Sequence, residues 1–298
     1  MKILLLGKAG QIGQELRHAL PALGEVVPLG HGDVDLRDQD ALLRALAAHR
    51  PDVIVNAAAY TAVDQAETDR EAADQVNAQA VAALAQYAKE ASALLVHYST
   101  DYVFDGDSDQ PYTETDTPRP LNVYGATKLA GESAVLESGC DALVFRCSWV
   151  YAPHAQNFPA VILRLARTRD RLDVVADQIG APTPAGLIAE ITSQMIVRRH
   201  QRTVPSGIYH LAASGAVSRH AFARYLVAGA IARGAPLALT PAQIHAIATK
   251  DYPAAAKRPH NSRLDTTRLS AALALRLPSW TQGADRFLDQ LSARGEFT

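Results

Sequence analysis

Several hallmarks of other protein classes are scarce or missing in this sequence. The two cysteines, Cys140 and Cys147, form neither a metal-binding spacing nor a disulfide framework, so buried free thiols are expected. Basic and acidic residues nearly cancel, 29 against 31, which gives no electrostatic reason to expect binding to nucleic acid or to an anionic membrane. No apolar run approaches the roughly 18 residues of a membrane span, and the run at residues 3–6 is too short for a signal peptide. These absences predict a cytoplasmic enzyme or binding protein.

The first half of the chain alternates between short apolar runs and helical patterns. Strands are predicted at residues 2–6, 25–29, 52–56, 94–98 and 142–146, with helices between them. This alternation predicts an α/β fold, namely a doubly wound parallel sheet of the Rossmann type. Further along the chain the pattern is less regular. We therefore expect a dinucleotide-binding domain at 1–150 and a smaller, loop-rich substrate domain mainly at 151–298, with residues 178–212 packing back on the first.

A glycine-spaced turn follows the first predicted strand. Gly7, Gly10 and Gly13 are each separated by two residues, and the turn leads into a helical pattern. Glycines let the backbone approach a pyrophosphate, whose charge is favoured at a helix N-terminus. The spacing departs from G-x-G-x-x-G, so the motif alone is weak and an ordinary strand-to-helix turn is the alternative. The order of strand, turn and helix favours a dinucleotide site.

The residues after the second predicted strand bear on the choice of coenzyme. NAD enzymes often place a carboxylate near the end of this strand, where it binds the ribose hydroxyls. Here Asp33 and Asp35 come a little later, and Arg37 is close to them. This pattern is permissive towards NADPH as well as NADH. Asp35 and Leu36 are also candidates for flanking the adenine.

Three alanines, Ala57, Ala58 and Ala59, follow the third predicted strand. Residues this small let a ribose and phosphates lie against the backbone. Close packing of a helix is the alternative explanation, but the polar neighbours Asn56 and Thr61 favour a binding site.

Three side chains form the expected catalytic group. Tyr124 and Lys128 are four residues apart in a predicted helix, so they lie one turn apart on the same face. The lysine ammonium is expected to lower the pKa of the phenol, which makes tyrosine useful as an acid near neutral pH. Thr100 follows the fourth predicted strand, where ligands bind in open parallel sheets. The combination predicts hydride transfer to a carbonyl, with the tyrosine supplying the proton.

Five motifs carry a resemblance to a known family. They are Gly7-x-x-Gly-Gln-x-Gly13, Asn56-Ala-Ala-Ala-Tyr-Thr61, Ser99-Thr-Asp-Tyr-Val-Phe104, Tyr124-x-x-x-Lys128 and Arg258-Pro-His-Asn-Ser-Arg263. Tyr-x-x-x-Lys alone is typical only of the short-chain dehydrogenase/reductase superfamily. With the other motifs, the chain resembles the dTDP-4-dehydrorhamnose reductase family, an extended branch of that superfamily, over nearly its whole length.

The resemblance implies reduction of the C4 ketone of dTDP-4-dehydro-L-rhamnose by NADPH or NADH, giving dTDP-L-rhamnose for bacterial surface polysaccharide. Tyr124 would donate the proton, Lys128 would also bind the nicotinamide ribose, and Thr100 would bind the substrate carbonyl. The coenzyme positions that it implies are Gly10, Gln11, Ile12, Asp35, Leu36, Ala59, Tyr60, Thr61 and Tyr98, to which the patterns above add Gly7, Gly13, Ala57 and Ala58. The substrate positions are Thr100, Asp101, Tyr124, Trp149, Asn157, Arg258 and Asn261.

Some of these residues also have an ordinary structural explanation. Trp149 follows a strand and is equally typical of a packed core. Arg258 belongs either to a solvated loop or to a site for the substrate diphosphate, which its neighbour Asn261 favours. His97 lies in a buried strand and is predicted to be a core histidine. The polar segment 105–120 is predicted to be a flap over the site.

A metal site is the family feature that this sequence puts in question. Some relatives dimerise through Mg²⁺ held by glutamates from three parts of the chain, and Glu15 matches one of them. The other two positions hold Gly186 and Gln290, which supply no carboxylate, although Glu190 and Asp289 are nearby. We expect no full site of that kind, which leaves monomer and homodimer both open.

Two other functions fit the same scaffold. One is a nucleotide-sugar epimerase or dehydratase, but dehydratases carry an acid directly after the Thr-Asp pair, where this chain has Tyr102. The other is a non-catalytic NADP-binding module that resembles the regulatory subunit of methionine adenosyltransferase. The intact Thr100, Tyr124 and Lys128 count against it.

Overall fold

The structure, a computed structural model, describes residues 1–297. Its strands are β1 (Lys2–Leu6), β2 (Glu25–Leu29), β3 (Val53–Asn56), β4 (Leu94–Thr100), β5 (Ala142–Cys147), β6 (Val150–Tyr151), β7 (Leu172–Val175), β8 (Ile179–Gly180), β9 (Thr183–Pro184), β10 (Gly207–Leu211), β11 (Val217–Ser218) and β12 (Ile244–Ile247). Its α-helices are α1 (Gln11–Ala19), α2 (Gln39–His49), α3 (Val63–Ala66), α4 (Arg70–Asp74), α5 (Ala80–Ala91), α6 (Val123–Ser138), α7 (Phe158–Ala166), α8 (Ala185–His200), α9 (Arg219–Ala232), α10 (Thr267–Leu273) and α11 (Trp280–Ala293).

Six strands form one parallel sheet in the order β10-β5-β4-β3-β1-β2. The chain turns from one half of the sheet to the other between β1 and β3, which are neighbours. Ligands of open parallel sheets bind at such a switch point, outside the carboxyl ends of the strands. The predicted doubly wound α/β fold is confirmed, and the switch point lies beside the predicted glycine turn.

Alternating side chains of β1 show how the sheet is covered on both faces. Ile3 and Leu5 pack with apolar residues of α1 and α8, whereas Leu4 and Leu6 pack with those of α2, α5 and α6. Successive side chains of a strand point to opposite faces, so a continuous apolar run is what a doubly covered strand needs. Residues 178–212 contribute α8 to one of these layers and β10 to the sheet edge, where β10 pairs with β5.

The C-terminal part of the chain has its own apolar clusters. Phe222 and Leu226 of α9 pack against Phe287 and Leu288 of α11. A second cluster joins α7, α9 and the parallel pair formed by β7 and β12. These two clusters pack α9 within the C-terminal part. The strand β11, which directly precedes α9, pairs antiparallel with β8.

The segment 105–120 packs against and hydrogen-bonds the motif that begins at Arg258. Tyr112 stacks on Phe104, with ring centroids 4.2 Å apart, and pairs with Leu264 in an isolated bridge. The Asn261 amide donates to the carbonyls of Ser108 and Gln110, 2.7 and 2.8 Å away. The segment and the motif therefore form one unit over the end of the sheet.

Most predicted elements are found with small shifts at their ends. The strand predicted at 94–98 continues to Thr100, and the first helix begins at Gln11, inside the stretch predicted as a turn, because Gly10 is its N-cap. Cys140 and Cys147 are buried free thiols, as predicted. Within residues 1–297, no helix has the length and apolar character to cross a membrane.

Candidate active site

The glycine turn after β1 is shaped by close backbone contacts. Gly7 has φ +84°, and a Cβ there would lie 2.6 Å from the Ala58 nitrogen. A Cβ on Gly13 would lie 2.0 Å from the Gly7 carbonyl oxygen. Only glycine fits such positions, and Gly10 as N-cap brings no capping side chain to the first-turn N–H groups of α1. These groups and the helix dipole suit a pyrophosphate, so the turn fits a dinucleotide.

Two ion pairs surround the end of β2. Lys8 Nζ lies 2.6 Å from Asp33 and lowers the pKa of that carboxyl. Arg37 holds Asp35 with contacts down to 2.6 Å and lowers its pKa to about 2. Leu36, between them in sequence, is buried. The predicted adenosine region thus presents carboxylates together with cations.

The alanine stretch after β3 is held by hydrogen bonds from the helical segment between α4 and α5. Residues 57–60 are half-buried and Thr61 is exposed. The Asn77 side chain accepts from the Tyr60 N–H over 2.9 Å and donates to the Tyr60 carbonyl over 3.0 Å. Asn77 lies in a wider, π-type turn between α4 and α5, a feature often found at functional sites. The sequence analysis missed Asn77; an asparagine inside an otherwise alanine-rich helix was the available signal.

Thr100, Tyr124 and the aromatic ring of Tyr102 meet at the carboxyl end of β4. Asn122 caps α6 by accepting from the Gly125 N–H over 2.8 Å, and a Cβ on Gly125 would lie 2.2 Å from the Tyr102 carbonyl oxygen. This close approach brings Tyr124 against Tyr102, with ring centroids 5.8 Å apart in an edge-on contact. Burial raises the pKa of Tyr124, and a hydrogen bond with Thr100 offsets part of the rise.

The raised pKa of Tyr124 is opposite to the predicted lowering. The expectation relied on the Lys128 ammonium, whose hydrogen-bond partner is His97 and not Tyr124. Lys128 is buried, and its Nζ lies 3.2 Å from Nε2 of His97. Burial lowers the pKa of Lys128 to about 8, although the Glu132 charge acts to raise it.

His97 is a core histidine, as predicted, but it joins the coenzyme side of the site to Lys128. Its Nδ1 lies 3.3 Å from the Asn56 amide nitrogen. Asn56 in turn accepts from the Ala58 N–H over 3.2 Å. A continuous hydrogen-bonded chain therefore runs from the alanine stretch through the sheet to the catalytic helix.

A buried ion pair supports the same helix. Glu132, one turn beyond Lys128 on α6, binds Arg146 of β5 with contacts of 2.6, 3.0 and 3.1 Å, and both side chains are almost completely buried. The Arg146 guanidinium also lies over the Phe104 ring, 5.1 Å from its centroid. This pair ties α6 to the sheet and was not foreseen from the sequence.

Asp101 follows Thr100 and is buried beside it. Burial raises its pKa to about 6, against hydrogen bonds from Ser262 and Thr100 that lower it. Thr100 Oγ1 donates to Asp101 over 3.1 Å and accepts from the Tyr102 N–H over 3.2 Å. Ser262 belongs to the motif that begins at Arg258, so this motif contacts the residue next to catalytic Thr100.

The remaining predicted contacts are spread around the site. Trp149 is half-buried with φ +47°, and Arg258 binds Asp64 at 2.6 Å near the same opening. Asn157 caps α7 and donates to the Gln11 side chain over 2.9 Å, next to Ile12. Tyr98 points to the other layer, where its hydroxyl meets Thr192 at 2.7 Å, and Asn261 serves the segment 105–120 as described above. The role of each in ligand binding stays a prediction.

Glu15, the carboxylate that matches a magnesium ligand of some relatives, contacts a histidine. It is 3.5 Å from Nδ1 of His154, on the side of α1 that faces Gly186. Glu190 and Asp289 contact Arg286 and Arg233, at 3.6 and 2.7 Å. Across residues 1–297, no group of three or more His, Cys, Asp or Glu side chains is arranged to hold a metal ion.

The short-chain dehydrogenase/reductases share this arrangement: a glycine turn beside a threonine, a tyrosine and a lysine at the carboxyl edge of a parallel sheet. The family described as RmlD substrate binding domain matches residues 1–293. The chain is 45% identical to dTDP-4-dehydrorhamnose reductase of Escherichia coli K12 over 98% of both chains. It is 47% identical to the enzyme of that name from Burkholderia thailandensis, over 94% of this chain and 95% of the relative.

A solved structure agrees with these relatives. The crystal structure of dTDP-4-dehydrorhamnose reductase from Bacillus anthracis in complex with NADP superimposes with a TM-score of 0.87 at 32% identity, covering 97% of this chain and 99% of that one. This chain belongs to the dTDP-4-dehydrorhamnose reductase family, as its motifs predicted.

Proposed function

We propose that the protein reduces the C4 ketone of dTDP-4-dehydro-β-L-rhamnose to the alcohol of dTDP-β-L-rhamnose, with NADPH or NADH as the reductant. The observation that carries this proposal is the hydrogen bond between Thr100 and Tyr124 at the edge of the sheet that also holds the glycine turn. The reaction completes dTDP-L-rhamnose, and we propose that it takes place in the cytoplasm.

The residues proposed to hold the coenzyme lie along the switch point. Gly7, Gly10 and Gly13 let the pyrophosphate approach the first turn of α1, and residues 57–61 line the next strand end. The Asp35–Arg37 pair faces the adenosine end. When bound, the coenzyme supplies a hydride to the carbonyl carbon of the sugar.

The proton for the resulting alkoxide comes from Tyr124. Burial raises the pKa of its phenol, so the group is fully protonated at neutral pH and holds a proton to give. Thr100 shares a hydrogen bond with Tyr124 and offers a hydroxyl for the carbonyl oxygen. Lys128, one turn along α6, stabilises the phenolate left after proton transfer when its amine is protonated.

The test is turnover of enzymatically made dTDP-4-dehydro-L-rhamnose with NADPH deuterated at the transferable position. We expect oxidation of NADPH and a product of the mass of dTDP-rhamnose with deuterium at C4. Coenzyme binding without oxidation would point to a regulatory module and would refute the proposal. Isotope exchange without net reduction would point to an epimerase.

A further inference from the structure

Arg219 is a cation at the mouth of the site that the sequence analysis did not single out. It is the first residue of α9, and its backbone N–H donates to the Gln178 carbonyl over 3.2 Å. Its guanidinium carbon lies 3.9 Å from the centroid of the Trp149 ring and 5.1 Å from that of Phe158. The guanidinium thereby lies against two aromatic rings, and the residue is half-buried.

Trp149 is built into the fold as a fixed platform for this guanidinium. It has φ +47°, a left-handed conformation that is rare for a large side chain and is concentrated at functional sites. Its indole lies against Gly180, where a Cβ would be 2.6 Å from Cε2. The strand pair β8 and β11 carries Gly180 on one strand and leads into Arg219 on the other. One small sheet therefore positions both partners of the stack.

Arg219 and its neighbour Arg258 differ in whether a carboxylate pairs with the guanidinium. Arg258 is bound by Asp64 at 2.6 Å. Among residues 1–297, no carboxylate lies within ion-pair distance of Arg219. Burial lowers the pKa of Arg219, the nearby Arg258 charge acts in the same direction, and Tyr102 and Asp101 act to raise it. A guanidinium on this side of the cleft, next to the catalytic group and without a carboxylate partner, has hydrogen-bond donors to spare for an anion.

We propose that Arg219, stacked on Trp149, binds the diphosphate of the nucleotide sugar. A planar guanidinium matches two phosphate oxygens at once, and its aromatic stack fixes the orientation of that fork before the ligand arrives. Arg258, partly neutralised by Asp64, lies beside it as a second cation. This inference rests on the proposed function, because it assigns the phosphate subsite of the same substrate.

The experiment is calorimetric titration of thymidine, dTMP and dTDP into the wild-type protein, Arg219→Met and Arg219→Lys. Arg224→Met is the matched control, because Arg224 lies on the same helix and is exposed. Thermal unfolding and the Kd for NADPH check that each variant is folded. We expect Arg219→Met to bind dTDP at least about 10-fold more weakly, while thymidine and NADPH bind as in wild type. Arg219→Lys should recover only part of the loss, because an ammonium lacks the planar fork.

The outcomes separate this inference from the proposed function. Wild-type turnover of the keto sugar with unchanged dTDP affinity in Arg219→Met would overturn the subsite and leave the reductase intact. An equal loss for thymidine and dTDP would place Arg219 at the base, and a loss for NADPH would place it at the coenzyme; either result refutes a diphosphate site. A wild-type protein that neither turns over the sugar nor binds dTDP would refute the proposed function itself.

Discussion

Nε2 of His97, on β4, lies 3.2 Å from Nζ of Lys128, on α6. Burial and the Lys128 charge lower the pKa of His97 well below its ordinary value, so the imidazole is neutral and carries a single N–H. Its Nδ1 lies 3.3 Å from the Asn56 amide nitrogen, and the Asn56 oxygen accepts from the Ala58 N–H. With its proton on Nε2, the imidazole donates to Lys128, which requires the uncharged amine as acceptor. Protonation of Lys128 requires the other tautomer of His97.

This relationship predicts that His97 positions Lys128 without touching the substrate. His97→Leu leaves a buried amine without its partner, and we expect kcat/KM to fall by about 10-fold with a changed pH profile. His97→Gln keeps a group that can donate or accept and should restore most of the activity. Wild-type activity and an unchanged pH profile in His97→Leu would show that the contact is only packing.

The pKa of Lys128 predicts a pH dependence of stability. In the unfolded chain the pKa of lysine is 10.5, and in the folded protein it is about 8. Between these values the unfolded chain binds more protons, so the free energy of unfolding should rise with pH. In Lys128→Met this rise should be smaller, by about 3 kcal/mol over the interval.

Urea unfolding at several pH values through this interval measures the difference. Lys89→Met is the control, because Lys89 is an exposed lysine on α5. The Glu132 charge acts to raise the pKa of Lys128, so Glu132 stays unchanged in every variant. Parallel pH curves for the wild type and Lys128→Met would contradict the prediction.

The buried pair of Glu132 and Arg146 predicts strong coupling. Arg146→Met leaves the Glu132 carboxylate buried without its partner and should lower the free energy of unfolding by about 3–5 kcal/mol. The double variant Glu132→Leu/Arg146→Met should be closer to wild type than either single one, which a double-mutant cycle measures. The exposed pair Arg171–Asp173 provides the comparison, since Arg171→Met should cost less than about 1 kcal/mol. Additive effects in the cycle would show that the buried pair is not coupled.

The ion pair at the end of β2 predicts the coenzyme preference. Arg37 binds Asp35 at 2.6 Å and masks its charge. Arg37→Met exposes a carboxylate that favours the ribose hydroxyls of NADH and repels the 2′-phosphate of NADPH. The ratio of kcat/KM for NADPH to that for NADH should fall by about 10-fold. Arg44→Met, an exposed change on α2, should leave the ratio unaltered, and an unaltered ratio in Arg37→Met would exclude this role.

The sequence was most informative where local chemistry decides the structure. The glycine turn at Gly7 and the continuous apolar run of β1 each depend on neighbouring residues, and each could be predicted. The catalytic motif could be predicted because its spacing equals a helical turn.

Contacts between distant residues could not be predicted in the same way. The amine of Lys128 was expected to lower the pKa of Tyr124, but its hydrogen bond goes to His97, which lies on a strand 31 residues earlier. The stack of Arg219 on Trp149 depends on the pairing of β8 with β11, two short strands without an alternating pattern. These are tertiary contacts, and no periodicity in the chain encodes them.

The central claim is that Tyr124 supplies the proton for reduction of the keto sugar. The most direct measurement is NADPH oxidation with dTDP-4-dehydro-L-rhamnose by Tyr124→Phe. Tyr87→Phe is the control, because the Tyr87 hydroxyl donates to the Leu46 carbonyl in a contact between α5 and α2. We predict that Tyr124→Phe binds NADPH normally and loses at least about 10²-fold in kcat, while Tyr87→Phe retains wild-type turnover. A Tyr124→Phe protein that reduces the sugar at the wild-type rate would contradict the account.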